Sequence, residues 1–120
     1  MNGTRAAIHE IKRLVQYRRR EPLGVVLLYH RVADLKTDPQ LLAVSPSNFA
    51  DHLRILNRDY LPVALTDLNS QTPKPPSRPV HVVLTFDDGY ADNLHQALPL
   101  LKDASVPATF FVVAGQVDRM

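Results

Sequence analysis

Apolar residues cluster in a few short runs, separated by stretches where apolar and polar positions alternate with helical spacing. The first run, LGVVLLYHRV over residues 23–32, is almost continuously apolar, the pattern of a strand covered on both faces, as in a parallel sheet. A polar loop is expected over residues 33–44. SPSNFADHLRILNRDY then reads as a helix, with Ser45 as N-cap, Pro46 at the first helical position, and Phe49, Leu53 and Leu56 on one face. LPVALTDL predicts a short strand and a turn, with Thr66 capping a short helix. A second strand, HVVLTF, is followed by ADNLHQALPLLKDA, a helix whose Leu94, Ala97, Leu98 and Leu101 are expected to face inward. Pro99 has no N–H and clashes with the preceding turn, so it should kink or restart this helix. VPATFFVVAG predicts a further buried strand closed by Gly115. Alternating strands and helices imply a parallel α/β sheet or barrel.

Two segments stand outside this alternation. Residues 4–20 form an amphipathic pattern in which Ile8, Ile11 and Leu14 (or Val15) share a face and basic residues fill the other. Such a helix either packs on the body or docks on an acidic membrane surface or a partner. Residues 69–79, NSQTPKPPSRP, are proline-rich and read as an exposed extended loop.

The chain has 120 residues, enough for one domain with a packed core. Its net charge of +2 is uneven. Residues 1–22 carry Arg5, Lys12, Arg13, Arg18, Arg19 and Arg20 against Glu10 and Glu21, and the remainder is mildly acidic. The basicity therefore describes the N-terminal arm, and nucleic acid is not an expected partner. With no cysteine, disulfides, thiolate-held zinc and cysteine nucleophiles are excluded. No stretch has the length and apolar purity of a membrane span, and the N-terminus lacks the apolar core of a secretory signal. A cytoplasmic location is the default expectation.

The chemistry concentrates where strands end. In parallel α/β folds, function collects at the carboxyl ends of strands. Asp87 and Asp88 follow the apolar Val82–Phe86 run directly, and Gly89 lets the backbone turn there. Neighbouring side chains at a strand end point in different directions, so one carboxylate can ligate a cation while the other faces its water. The alternative is an Asp-Asp-Gly turn whose carboxylates cap the next helix. Tyr29 and His30 end the first strand in the same way. His9, His52, His81 and His95 read as surface or packing residues. No serine elbow or phosphate-binding glycine loop is present.

LTFDDGYADN, ALPLLKDASVPATFFVVAGQVD and LLYHRV together resemble the polysaccharide deacetylase family, the NodB-homology domains of carbohydrate esterase family four. The VSPSNFADHLRILNRDYLPVALTDL spacing resembles the subgroup acting on poly-N-acetylglucosamine. The resemblance runs from about Leu23 onward. It implies a distorted (β/α) barrel and metal-dependent removal of N-acetyl, or sometimes O-acetyl, groups from an acetylated glycan. Asp87 would be the general base, Asp88 a ligand of the metal, usually zinc, and the Tyr90 backbone N–H part of the oxyanion site. His30 resembles the histidine that this subgroup carries after its first strand, and is placed at the pocket.

The family's His-Ser/Thr-x-x-x-His metal motif and its catalytic acid histidine are not recognised in these 120 residues. The expectation is therefore an N-terminal arm, residues 1–22, followed by the N-terminal part of a deacetylase domain, residues 23–120, as an incomplete (β/α) barrel. Alone it is expected to be inactive and to need a complementing C-terminal half. The competing expectation is a non-catalytic remnant serving as a glycan-binding or partner-interaction module.

Overall fold

The computed structural model describes residues 24–68 and 80–117. The basic helix expected over residues 4–20 and the proline-rich loop over residues 69–79 lie outside the described residues.

The centre of the fold is β5 (His81–Phe86), every residue of which is buried. On one side it pairs in parallel with β1 (Gly24–Tyr29), in register from Gly24 opposite His81 to Tyr29 opposite Phe86. On its other side two short strands share its length. β4 (Leu61–Pro62) pairs with His81 and Val82, and β6 (Ala108–Phe110) pairs with Leu84 to Phe86. All these pairings are parallel, as the apolar runs predict.

The α1 helix (Pro46–Asp59) covers one face of this sheet. The Ser45 side chain accepts from the Asn48 N–H, and Pro46 sits in the first turn where a missing N–H costs nothing. Phe49, Leu53 and Leu56 are buried, as their spacing requires. They meet Val82, Leu84 and Phe86 in the core. The aromatic part is densely packed: Phe86 stacks on Tyr29 and Phe110 at 5.3 and 4.8 Å, and Phe49 meets it edge-on at 5.8 Å.

Several elements differ from expectation. The first apolar run breaks at His30, and beyond it β2 (Arg31–Val32) pairs in parallel with β3 (Ala43–Val44). The loop expected over residues 33–44 thus ends in a strand. Asp38 organises it by accepting from the Ala43 and Leu42 N–H groups, which hold its carboxyl below the usual range. Val26 and Leu28 of β1 are exposed, so this strand is covered on one face only among the described residues. The strand expected over 106–115 is regular only at Ala108–Phe110, and Phe111–Val113 are exposed. Thr66 lies inside a 3₁₀ turn, Leu65–Asp67, that Ala64 precedes without a side-chain cap.

The helix after the carboxylates starts at Ala91, widens into a π turn at Asn93–Ala97, and continues as α2 (Leu98–Ala104). The Leu98 N–H reaches the Asn93 carbonyl five residues back. Pro99 is accommodated by this restart, where a regular turn would have met its ring. The wide turn also shifts the helical phase. Asn93, Ala97 and Leu101 become the buried row, and Leu94, expected inside, is 61% exposed.

Candidate active site at the carboxyl ends of β1 and β5

The parallel register brings His30 and Asp87 level, each one residue beyond the last paired position of its strand. The strands there are about 5 Å apart. The Asp87 N–H donates to the Tyr29 carbonyl at 3.0 Å, which fixes the start of the loop against the end of β1. Asp87 is half-buried and Asp88 is exposed. Neither carboxylate has a side-chain hydrogen bond among the described residues, so neither caps the following helix. The turn reading accounts for the backbone but leaves both side chains free.

That backbone is unusual. Asp88 has φ +72° and Gly89 φ +65°, two successive left-handed residues. Aspartate tolerates this conformation better than most residues, yet at a cost. Gly89 is required twice over. A Cβ there would lie 3.1 Å from Val112 Cγ1 and would carry the positive φ as well. The turn after Asp87 thus holds backbone strain, a feature that collects at functional sites.

The residues that lock the loop were missed by the sequence reading. Asp92 Oδ2 accepts from Arg31 Nε and Nη2 at 2.9 and 2.8 Å, and its Oδ1 accepts from the Val32 N–H at 3.0 Å. The Arg31 guanidinium also lies 4.5 Å from the centroid of the Tyr90 ring. One side chain from the β1–β2 junction therefore holds the loop at Tyr90 and Asp92 together. The only available signal was that Arg31 adjoins His30 and Asp92 lies two residues past Tyr90. Behind β1, the Tyr29 hydroxyl is hydrogen-bonded to His52 Nδ1 at 3.1 Å, and burial raises the Tyr29 phenol above its ordinary value. Asn93 is buried, and its side-chain amide has no partner among the described residues.

This arrangement also has relatives. Residues 74–120 match the family model of polysaccharide deacetylase. The chain is 29% identical over 98 residues to the "Putative polysaccharide deacetylase YxkH" of Bacillus subtilis (strain 168), covering 78% of this chain and 33% of that protein. The solved structure of IcaB from Ammonifex degensii superposes with a TM-score of 0.66 at 33% identity, over 78% of this chain and 40% of that one. The chain is similar to polysaccharide deacetylases over most of its described residues. A de-N-acetylase from Aggregatibacter actinomycetemcomitans, TM-score 0.63 at 30% identity, covers 81% of this chain and 39% of its own. The chain thus spans well under half the length of these proteins. The α/β fold with parallel strands is common to the family structures and this chain.

Deacetylases of this family are generally metal-dependent. Among the described residues no three His, Asp or Glu side chains converge on a point where an ion could sit. A catalytic zinc takes three protein ligands as a rule. The described residues therefore do not by themselves fit a zinc centre, although Asp88 offers a free carboxylate at the rim.

Proposed function

We propose that this chain carries the base-bearing part of a glycan deacetylase active site, hydrolysing the carbon–nitrogen bond of an N-acetyl group, or the ester bond of an O-acetyl group. The carrying observation is the left-handed Asp88–Gly89 turn at the end of β5, with Asp87 level with His30 and neither carboxylate hydrogen-bonded among the described residues. Asp87, half-buried and fixed through its own N–H, is the group that takes a proton from the attacking water. The Tyr90 N–H is the donor proposed for the oxygen that gains charge as the carbonyl is attacked. His30 contacts the substrate from the β1 side. Asp88 would supply one ligand to a divalent cation, zinc in this reading, with the remaining ligands coming from outside the described residues.

The barrel reading belongs to the same proposal. Val26 and Leu28 leave one face of β1 uncovered, and Phe111–Val113 extend apolar and exposed past β6. Both features are those of a sheet that continues into further strands. The reading also leaves the activity to an assembly larger than the described residues.

The test is acetate release from soluble N-acetylglucosamine oligomers by this chain together with a complementing C-terminal half of a deacetylase domain, measured with zinc added, as wild type and as Asp87→Asn. Loss of release by about 10²–10⁴-fold in the variant, with substrate binding retained, is expected. Release that persists at the wild-type rate in Asp87→Asn would remove Asp87 from the role of base. Oligomer binding without any acetate release under every metal condition would favour the glycan-binding module over the enzyme.

A further inference from the structure

Between α1 and β1 lies a second groove, of about 370 Å³, away from the carboxylate turn. Val25, Leu27 and Tyr29 line it from β1. Alternate residues of a strand share a face, and this is the face that α1 covers. His52, Ile55 and Leu56 line it from α1 at three- and four-residue spacing, and Tyr60 lines it from the end of that helix. None of these side chains carries a fixed charge, and the one polar pair, Tyr29 and His52, is already hydrogen-bonded. Val25, Ile55 and Tyr60 are nevertheless exposed. Covering such a surface is favourable in proportion to its apolar area.

Connectivity says what can reach it. Residues 4–20 carry the amphipathic pattern, and only Glu21, Pro22 and Leu23 separate them from Gly24, where β1 begins. A link this short is ordinary between a helix and a strand, and elements joined so briefly lie side by side. A helix over residues 4–20 is about 25 Å long and β1 spans about 20 Å, so the arm can run back along the whole strand. Running back from Gly24, it meets Val25 first and Tyr29 last. Tyr60 lies at the Gly24 end too, because Leu61 pairs with His81, which pairs with Gly24. The order of apolar residues matches. Leu14 or Val15 reaches Val25 and Tyr60, and Ile11 and Ile8 reach Leu27 and Tyr29. The uncharged groove takes the apolar face, and Lys12, Arg13, Arg19 and Arg20 stay in water.

We propose that residues 4–20 dock as a helix in this groove, with Ile8, Ile11 and Leu14 or Val15 against β1 and α1. Val26 and Leu28 face the other side of β1, so the arm does not compete with further strands of a sheet. The docked arm shields the Tyr29–His52 hydrogen bond and backs the strand whose Tyr29 carbonyl holds the Asp87 N–H.

The experiment is amide hydrogen exchange with nuclear magnetic resonance on the full 120-residue chain, as wild type, Ile8→Ser/Ile11→Ser and Ile55→Asp. Amides between residues 8 and 15 should exchange at least about tenfold more slowly in wild type than in either variant. The arm variant should move the signals of Val25, Leu27, Ile55 and Tyr60. Ile55 is exposed, so the signals of Leu84 and Phe86 should stay in place in Ile55→Asp, which separates loss of docking from unfolding. Arm exchange that is indifferent to Ile55→Asp, or groove signals that do not move in Ile8→Ser/Ile11→Ser, would overturn the docking. Phosphatidylglycerol vesicles test the other destination of a basic amphipathic helix. A docked apolar face is out of reach, so wild type and the arm variant should bind vesicles equally. Binding about tenfold tighter by wild type would assign that face to a membrane surface and overturn the proposal.

Discussion

Arg31 and Asp92 are sixty-one positions apart, yet two guanidinium nitrogens of one reach a single carboxylate oxygen of the other at 2.9 and 2.8 Å. The second oxygen of Asp92 is taken by the Val32 N–H. Asp92→Ala strands a guanidinium and a backbone donor in a partly buried place, and should lower stability by about 2 kcal/mol. Arg31→Lys keeps the charge but loses the fork and the flat stacking face, and should cost about 1 kcal/mol. Urea unfolding with unchanged m-values checks both, and equal stability of Asp92→Ala and wild type would refute the clamp.

The left-handed turn predicts opposite outcomes at neighbouring positions. Gly89→Ala places a methyl against Val112 at positive φ and should destabilise by about 1–2 kcal/mol. Asp88→Gly relieves a similar strain and should be neutral or stabilising by about 1 kcal/mol, while abolishing acetate release. A thermal melt of the two variants reads the sign directly. A destabilised Asp88→Gly would mean that the carboxylate has a structural partner.

Phe86 is fully buried at the meeting point of Tyr29, Phe49 and Phe110. Phe86→Ala should cost about 3–5 kcal/mol, and Phe86→Leu should recover part of that loss. Denaturant midpoints decide it. A loss no larger than that of an exposed substitution would contradict the packing.

Tyr29 gives a pH signature. Burial raises its phenol above 10.0, so the folded state holds the proton more tightly than the unfolded chain. Its contribution is fully present below pH 10 and is lost as pH rises through the raised value. Wild type should therefore lose stability above pH 10 faster than Tyr29→Phe. Parallel stability curves for the two proteins would show that the hydroxyl does not titrate differently on folding.

Local pattern carried much of this architecture. The β5 run, the Ser45–Pro46 start of α1 and its buried row at Phe49, Leu53 and Leu56 follow from polarity and capping, which act over a few residues. The location of the carboxylates at a strand end was legible for the same reason. Leu94 was misplaced because helical periodicity assumes a constant turn, and the π turn before Pro99 breaks it. The missed groups are long-range. Arg31 meets Asp92, and Tyr29 meets His52, only because β1 and β5 lie in register and α1 crosses them. Nothing in either local sequence announces such a pairing.

The order in which β5 acquires its neighbours bears on how the chain reaches this state. β1 is synthesised early, yet its partner among the described strands begins only at His81. Until β5 is made, the nascent chain carries Val25, Val26, Leu27 and Leu28 without that strand to receive them. Long-range parallel pairing of this kind folds slowly and leaves intermediates open to association. Shielding of that segment until β5 is available should therefore raise the yield of folded chain.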